Sequence, residues 1–152
     1  MVAIMTDSNE ATALFQHTRE MLTRFAVPFT EHALAAAAAA DHANLQQVVT
    51  DLESAGTMVF ITANAMGASI APMTVRPVLV VPIELPGVAP LDALKNTTSG
   101  GSVASLAIGK AGAINAALLA VAILANTNPL LREKLTQFRT QQTQAVLADR
   151  LD

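Results

Sequence analysis

A three-layer α/β sandwich, with a central parallel sheet covered by helices on both faces, is the fold class this sequence predicts. Short apolar runs such as "VAIM", "MVFITA" and "PVLVV" recur along the chain. They lack the polar alternation of a strand with one wet face, as strands buried on both sides do. Helical patterns separate them, and strand–helix alternation is the mark of a parallel sheet with crossovers packed on it. At 152 residues the chain fits one domain, and no repeat or linker divides it, so residues 1–152 are read as a single unit.

Taken in order, Val2 to Met5 reads as the first strand, ended by the polar "TDSNE", and Thr12 to Phe25 as a helix spaced on Leu14, Met21, Leu22 and Phe25. "VPFTEHALA" from Val27 is the second strand. Asp41 then caps a helix carrying Leu45, Val48, Val49 and Leu52, which Gly56 closes. "TMVFITA" and "RPVLVVPIE" are the third and fourth strands, with "NAMGASIAPM" between them as a loop or short helix. "PGVAPLDALKN" suggests a turn and short helix, "TTSGGS" a flexible loop, and "VASLAI" a fifth strand. "GKAGAINAALLAVAILA" is a buried helix. Its apolar part, Ala111 to Ala125, is interrupted by Asn115 and falls short of the roughly 20 residues that span a bilayer. Pro129 to Leu151 is a final amphipathic helix on Leu131, Leu135, Phe138, Val146 and Leu147.

The run Leu34 to Asp41, "LAAAAAAD", consists mostly of the strongest helix former. Its place after the second strand requires it to cover the strand end and the crossover into the helix capped near Asp41. A helix that begins early, inside the run, is the structural alternative.

Composition narrows the function. With 52% hydrophobic and 14% charged residues, few charges are present to cover the outside, which points to subunit contacts made through small side chains. The net charge of −3, without basic or aromatic clusters, argues against nucleic acid. The absence of cysteine excludes thiolate chemistry and fits the cytoplasm, and "MVAIMTDSNE" has no signal-peptide pattern. Three scattered histidines, His17, His32 and His42, make no metal-ligand pattern. In parallel α/β sheets ligands bind outside the carboxyl ends of the strands. The segments to inspect are therefore Thr6 to Glu10, the chain after Ala35, Ala63 to Pro72, and Thr97 to Ser102.

The stretch "SLAIGKAGAINAALLAVAILA", Ser105 to Ala125, resembles the signature of the PurE family, the carboxyaminoimidazole ribonucleotide mutases and aminoimidazole ribonucleotide carboxylases of purine biosynthesis. The likeness extends through "VAIM", Val27-Pro28, "PVLVVPI" and "LTQFRTQQTQAVL", essentially the whole chain. It implies a homo-octamer with active sites near subunit interfaces and the C-terminal helix packed on a neighbouring subunit. It also implies a small nucleotide ligand, no membrane association and no metal or organic cofactor. In the family a carboxylate moves between an exocyclic nitrogen and a ring carbon while a histidine shuttles the proton.

The four family loops are altered here. GSxSD aligns with Asp7, Ser8, Asn9, Glu10 and Ala11, so that only Ser8 is kept, and Asp7 and Glu10 add negative charge where a phosphate would approach. An ordinary polar turn, with Ser8 or Asn9 capping the first helix, is the plain reading of that loop. SAHRTP aligns with Ala37 to His42, placing Ala39 at the histidine and Ala40 at the phosphate-holding arginine. Alanine can neither transfer a proton nor neutralise a phosphate. The segment from Pro28 to Leu45 is about two residues longer than the family pattern, so a displaced His42, beside Asp41, is the candidate replacement. GAGGAAHLPG has become "ANAMGASIAP", in which Gly67 is the one glycine, Ser69 stands at the second histidine, and Asn64 and Ser69 can hydrogen-bond a ligand. MPxGIPV is shortened to "TTSGGSVA". Lys110 and Asn115 face either a ligand or the packing of the signature helix.

Two functions compete. The resemblance with altered loops predicts a PurE-like protein with lost or strongly changed catalysis, a non-catalytic homologue or scaffold. The alternative is an active carboxyaminoimidazole ribonucleotide mutase of de novo IMP synthesis that uses His42. A third reading, different chemistry from Asp7, Glu10, Asp41 and His42, rests only on their acid-base capacity.

Overall fold

A computed structural model describes residues 1–83, 92, 94–95 and 102–148. Five parallel strands, β1 (Val2–Thr6), β2 (Phe29–Ala33), β3 (Val59–Ala63), β4 (Val78–Val81) and β5 (Ala104–Ser105), pair in the order β2-β1-β3-β4-β5. The helices are α1 (Asn9–Leu14), α2 (Gln16–Arg24), α3 (Ala36–Ala40), α4 (His42–Ser54), α5 (Met66–Ile70), α6 (Gly109–Leu124) and α7 (Pro129–Ala148). A single 3₁₀ turn, Ala71–Met73, follows α5.

Every residue of β1, β3 and β4 is buried, and alternate residues serve opposite faces. Val2, Ile4, Val59, Ile61, Leu79 and Val81 meet α1, α2, α6 and α7 in one core. Ala3, Met5, Phe60, Val78 and Val80 meet α4 and α5 in the other. This two-sided burial is why the strands read as continuous apolar runs, and it produces the predicted sandwich.

The signature helix packs closely on the first of these faces. A Cβ on Gly112 would overlap the carbonyl oxygen of Ala107 and press on Val81. Ala113, Ala116, Ala117 and Ala120 are fully buried, and Thr18 Oγ1 donates to the Ala113 carbonyl at 2.8 Å, tying α2 to α6.

Several expectations are corrected in detail. The single helix from Thr12 to Phe25 is two, beginning earlier at Asn9 and divided at Phe15, which is fully buried and has ψ at 0°. The alanine run does form a helix, α3, but a separate one. Asp41 adopts an extended backbone (φ −79°, ψ 107°), ends it and caps α4. The fifth strand is only two residues long and exposed. In α7, Leu131, Leu135 and Phe138 are buried, with Phe138 edge-on to Phe25 at 5.3 Å. Val146 and Leu147, expected on the same apolar face, are 74% and 78% exposed. They lie beyond the last turn that the domain body covers. The expected short helix over 86–96 and the loop over 97–102 fall, apart from residues 92, 94–95 and 102, outside the described residues.

Candidate functional site

Strand order reverses at β1: the chain passes from β1 to β2 on one side, then back across to β3 on the other. Loops leaving β1 and β3 therefore go to opposite faces and open a crevice at the carboxyl edge, where ligands of such sheets bind.

Beside that switch point, between the carboxyl ends of β1 and β2, lies a cleft of about 280 Å³ lined by Thr6, Asp7, Ser8, Asn9, Thr12, Ala33, Leu34 and Ala35. The Leu34 N–H donates to the Thr6 carbonyl at 2.8 Å, so the two loops that form its walls are fixed to each other. Ser8 caps α1, its Oγ accepting from the Ala11 N–H at 3.2 Å. The Thr12 hydroxyl donates to the Ser8 carbonyl at 3.0 Å and lies 3.0 Å from the Thr6 hydroxyl. Of the predicted ligand-binding residues, Ser8 and Asn9 are brought together here. Thr6, which opens the first segment singled out in the sequence, lines the cleft too, and Thr12, four residues on from Ser8, is a cleft residue outside that segment. Their signal was a hydroxyl at each end of one strand–loop–helix turn.

Among the described residues, no basic side chain lines the cleft. Arg19 Nη1 donates to the carbonyl of Thr12, a lining residue, at 3.4 Å and to Glu31 Oε2 at 3.0 Å. Lys110 lies in a second cavity of about 520 Å³ with Glu10, Leu14, Ile83, Ile108 and Gly109.

The second loop leaves the cleft at Ala35, which precedes α3. Ala39, at the position aligned with the family histidine, is half-buried against the core shared by Met5 and Leu45. Ala40, at the arginine position, is exposed. Asp41 Oδ1 accepts from the Ala43 and Asn44 N–H groups at 3.0 and 3.1 Å, a helix cap. His42 is the first residue of α4 and is exposed, and it is not among the residues lining the Ser8 cleft.

The third loop is placed by its backbone. Asn64 sits in left-handed geometry (φ 46°), and its Oδ1 accepts from the Ile83 N–H at 2.8 Å, bracing the ends of β3 and β4 together. Gly67 is buried, with the missing Cβ position filled by Val80 Cγ2. Ser69 is exposed on α5. Ser8 and Asn9 thus line the cleft, Asp41 and His42 start α4, Asn64–Ser69 belong to the turn and helix that leave β3 beside the end of β1, and Lys110 shares a cavity with Glu10.

Fold and crevice define a flavodoxin-like α/β protein with a cleft at the carboxyl edge of its sheet. The family model described as AIR carboxylase matches residues 1–145. The chain is 37% identical to an N5-carboxyaminoimidazole ribonucleotide mutase of Pseudomonas aeruginosa over 97% of its own length and 93% of the relative's. Against a protein of the same description from Escherichia coli K12 the identity is 38%, covering 96% of this chain and 89% of the other. The crystal structure of Treponema denticola PurE superposes with a TM-score of 0.81 over 97% of this chain and 94% of that one, at 16% identity, a likeness of fold. The chain belongs to the AIR carboxylase, or PurE, family.

Proposed function

We propose that this chain is a PurE-family protein that keeps the fold and the ligand-scale cleft but has lost the mutase reaction of its relatives, acting as a non-catalytic homologue or scaffold. The observation that carries this is α3. The positions aligned with the family's proton shuttle and phosphate clamp are the methyl groups of Ala39 and Ala40, within a helix made only of alanine. A positioned acid-base group contributes roughly 10²–10⁴ in rate, and no hydroxyl, carboxylate or imidazole stands at those two places. Homo-octameric assembly is part of the same proposal. The exposed Leu119 on the outer face of α6 supports it, as do the exposed Leu130, Val146 and Leu147 on α7. Among the described residues no helix is long and apolar enough to cross a membrane, and the reading places the protein in the cytoplasm.

The second reading, an active mutase of purine biosynthesis with a displaced His42, is favoured by identity of 37–38% to proteins described as N5-carboxyaminoimidazole ribonucleotide mutases along nearly the whole chain. Purified protein incubated with N5-carboxyaminoimidazole ribonucleotide decides between them. Turnover indistinguishable from the uncatalysed rate is expected, and turnover at the rate of an intact family member run in parallel overturns the proposal. Light scattering of the same preparation tests the octamer.

A further inference from the structure

Resting on the homo-oligomeric part of that reading, we infer that the turn before β4 is a contact between two copies of the chain, in which Arg76 of each copy meets Glu53 of the other across a two-fold axis and Val75 and Met58 close the centre. The argument starts from a cation without a partner. Arg76 Nε is shut off from water with no acceptor, and among the described residues no carboxylate pairs with the guanidinium. The turn that presents it is braced. The Arg76 N–H donates to Thr74 Oγ1 at 2.9 Å, and that hydroxyl bonds to Glu53 Oε1 on α4. Val75, between the two, is 95% exposed, the highest value for a large apolar side chain among the described residues. Phe60 pairs with Val78, so Met58 and Arg76, two residues earlier in each segment, reach the same edge of the sheet. Met58 and Pro77 are exposed there as well. An apolar knob on a fixed turn beside an unpaired arginine has the composition of an interface centre.

Charge identifies the occupant. Glu53 has one oxygen on Thr74 and no cation beside it among the described residues. The patch therefore carries an unpaired cation and an unpaired carboxylate on either side of one threonine. A two-fold rotation brings residue i onto j and j onto i, so such a patch is complementary to itself. An acidic partner satisfies Arg76 but confronts Glu53, and a basic partner does the reverse; a second copy serves both. The contact lies at the amino edge of β3 and β4, the end of the sheet opposite the Ser8 cleft, and leaves that cleft open.

The test uses the full-length protein, with Arg76→Glu and Glu53→Arg prepared separately and then mixed in equal amounts, each followed by sedimentation velocity over a range of concentrations. The parent is expected to assemble. Either reversal alone sets like charges against each other at both crossings, and its assembly should need at least about tenfold more protein or stop at a smaller species. The mixture should return to within about threefold of the parent, because each crossing between the two variants again joins a carboxylate to a guanidinium. A defect confined to one subunit, such as loss of the Thr74 bond to Glu53, is not repaired by mixing. Single reversals that assemble like the parent overturn the inference, as does a mixture that stays as weak as its components. A monomeric parent overturns this contact and the homo-oligomeric reading together, whereas variants that match an assembled parent overturn the contact alone.

Discussion

Gly67 lies directly against Val80: a Cβ at position 67 would overlap Val80 Cγ2 and crowd Thr62 Cγ2 at 3.2 Å. The glycine faces the sheet, so its retention in an otherwise altered loop is explained by how closely α5 approaches β4. Gly67→Ala gains up to about 1 kcal/mol of helix propensity but must displace a β-branched side chain that has few alternative rotamers. A net loss of about 1–2 kcal/mol is expected from this overpacking, read by urea denaturation. Adding Val80→Ala should relieve the overlap, so that the double variant loses less than the two single losses summed. Simple additivity would show that the contact is not the cause.

Asn64 carries two local functions at once, a left-handed backbone at φ 46° and an acceptor for the Ile83 N–H at 2.8 Å. Asn64→Gly keeps the backbone freedom and removes the acceptor. Asn64→Ala removes both. The hydrogen bond accounts for about 1 kcal/mol and the strained conformation for about 1 kcal/mol more, so thermal stability should fall in the order Asn, Gly, Ala. Equal losses for Gly and Ala would mean that the backbone conformation costs nothing there.

Asp41 separates two helices that the sequence allows to merge. Its carboxylate accepts from two N–H groups at the start of α4, and replacing it with Ala should cost about 1 kcal/mol. In a chain of this size that is a fall in Tm of about 2–4 °C. Asp41→Asn should recover most of it, because the amide oxygen accepts the same bonds. If Asp41→Ala instead raises helicity without loss of stability, α3 and α4 have fused.

The buried parts of this chain were legible because their cause is local and repeated. "VAIM", "MVFITA" and "PVLVV" became β1, β3 and β4 with every residue of the strands buried, and Gly56, at φ 94°, closes α4 where the sequence places the stop. The alanine run was harder. Six identical side chains carry no register, so the break is fixed by one residue, Asp41, whose side chain satisfies the next helix's N–H groups better than it would serve within a continuing one. Val146 and Leu147 misled for a different reason: helical spacing identifies a face but not where the body of the domain ends. At the site, residue identity was readable and placement was not. Ser8 and Asn9 share a cleft with Thr6 and Thr12 of the same strand–loop–helix turn, whereas its other wall, Ala33–Ala35, arrives through the pairing of β1 with β2, which no single loop contains.

His42 offers the sharpest separation of the two functional readings. It is exposed at the first position of α4, where Asp41 already supplies the cap. His42→Ala removes no buried contact, and stability should stay within about 0.5 kcal/mol of the parent. The variant therefore reports on chemistry without a folding penalty. If a displaced histidine carries the proton, the parent turns over N5-carboxyaminoimidazole ribonucleotide and His42→Ala loses roughly 10²–10⁴ of that rate. With the Ser8 cleft bounded by Ala33–Ala35 and His42 outside its lining, the expected outcome is that neither protein turns over. A parent that is active and a variant that is not would overturn the non-catalytic reading and assign the proton transfer to His42 in one comparison.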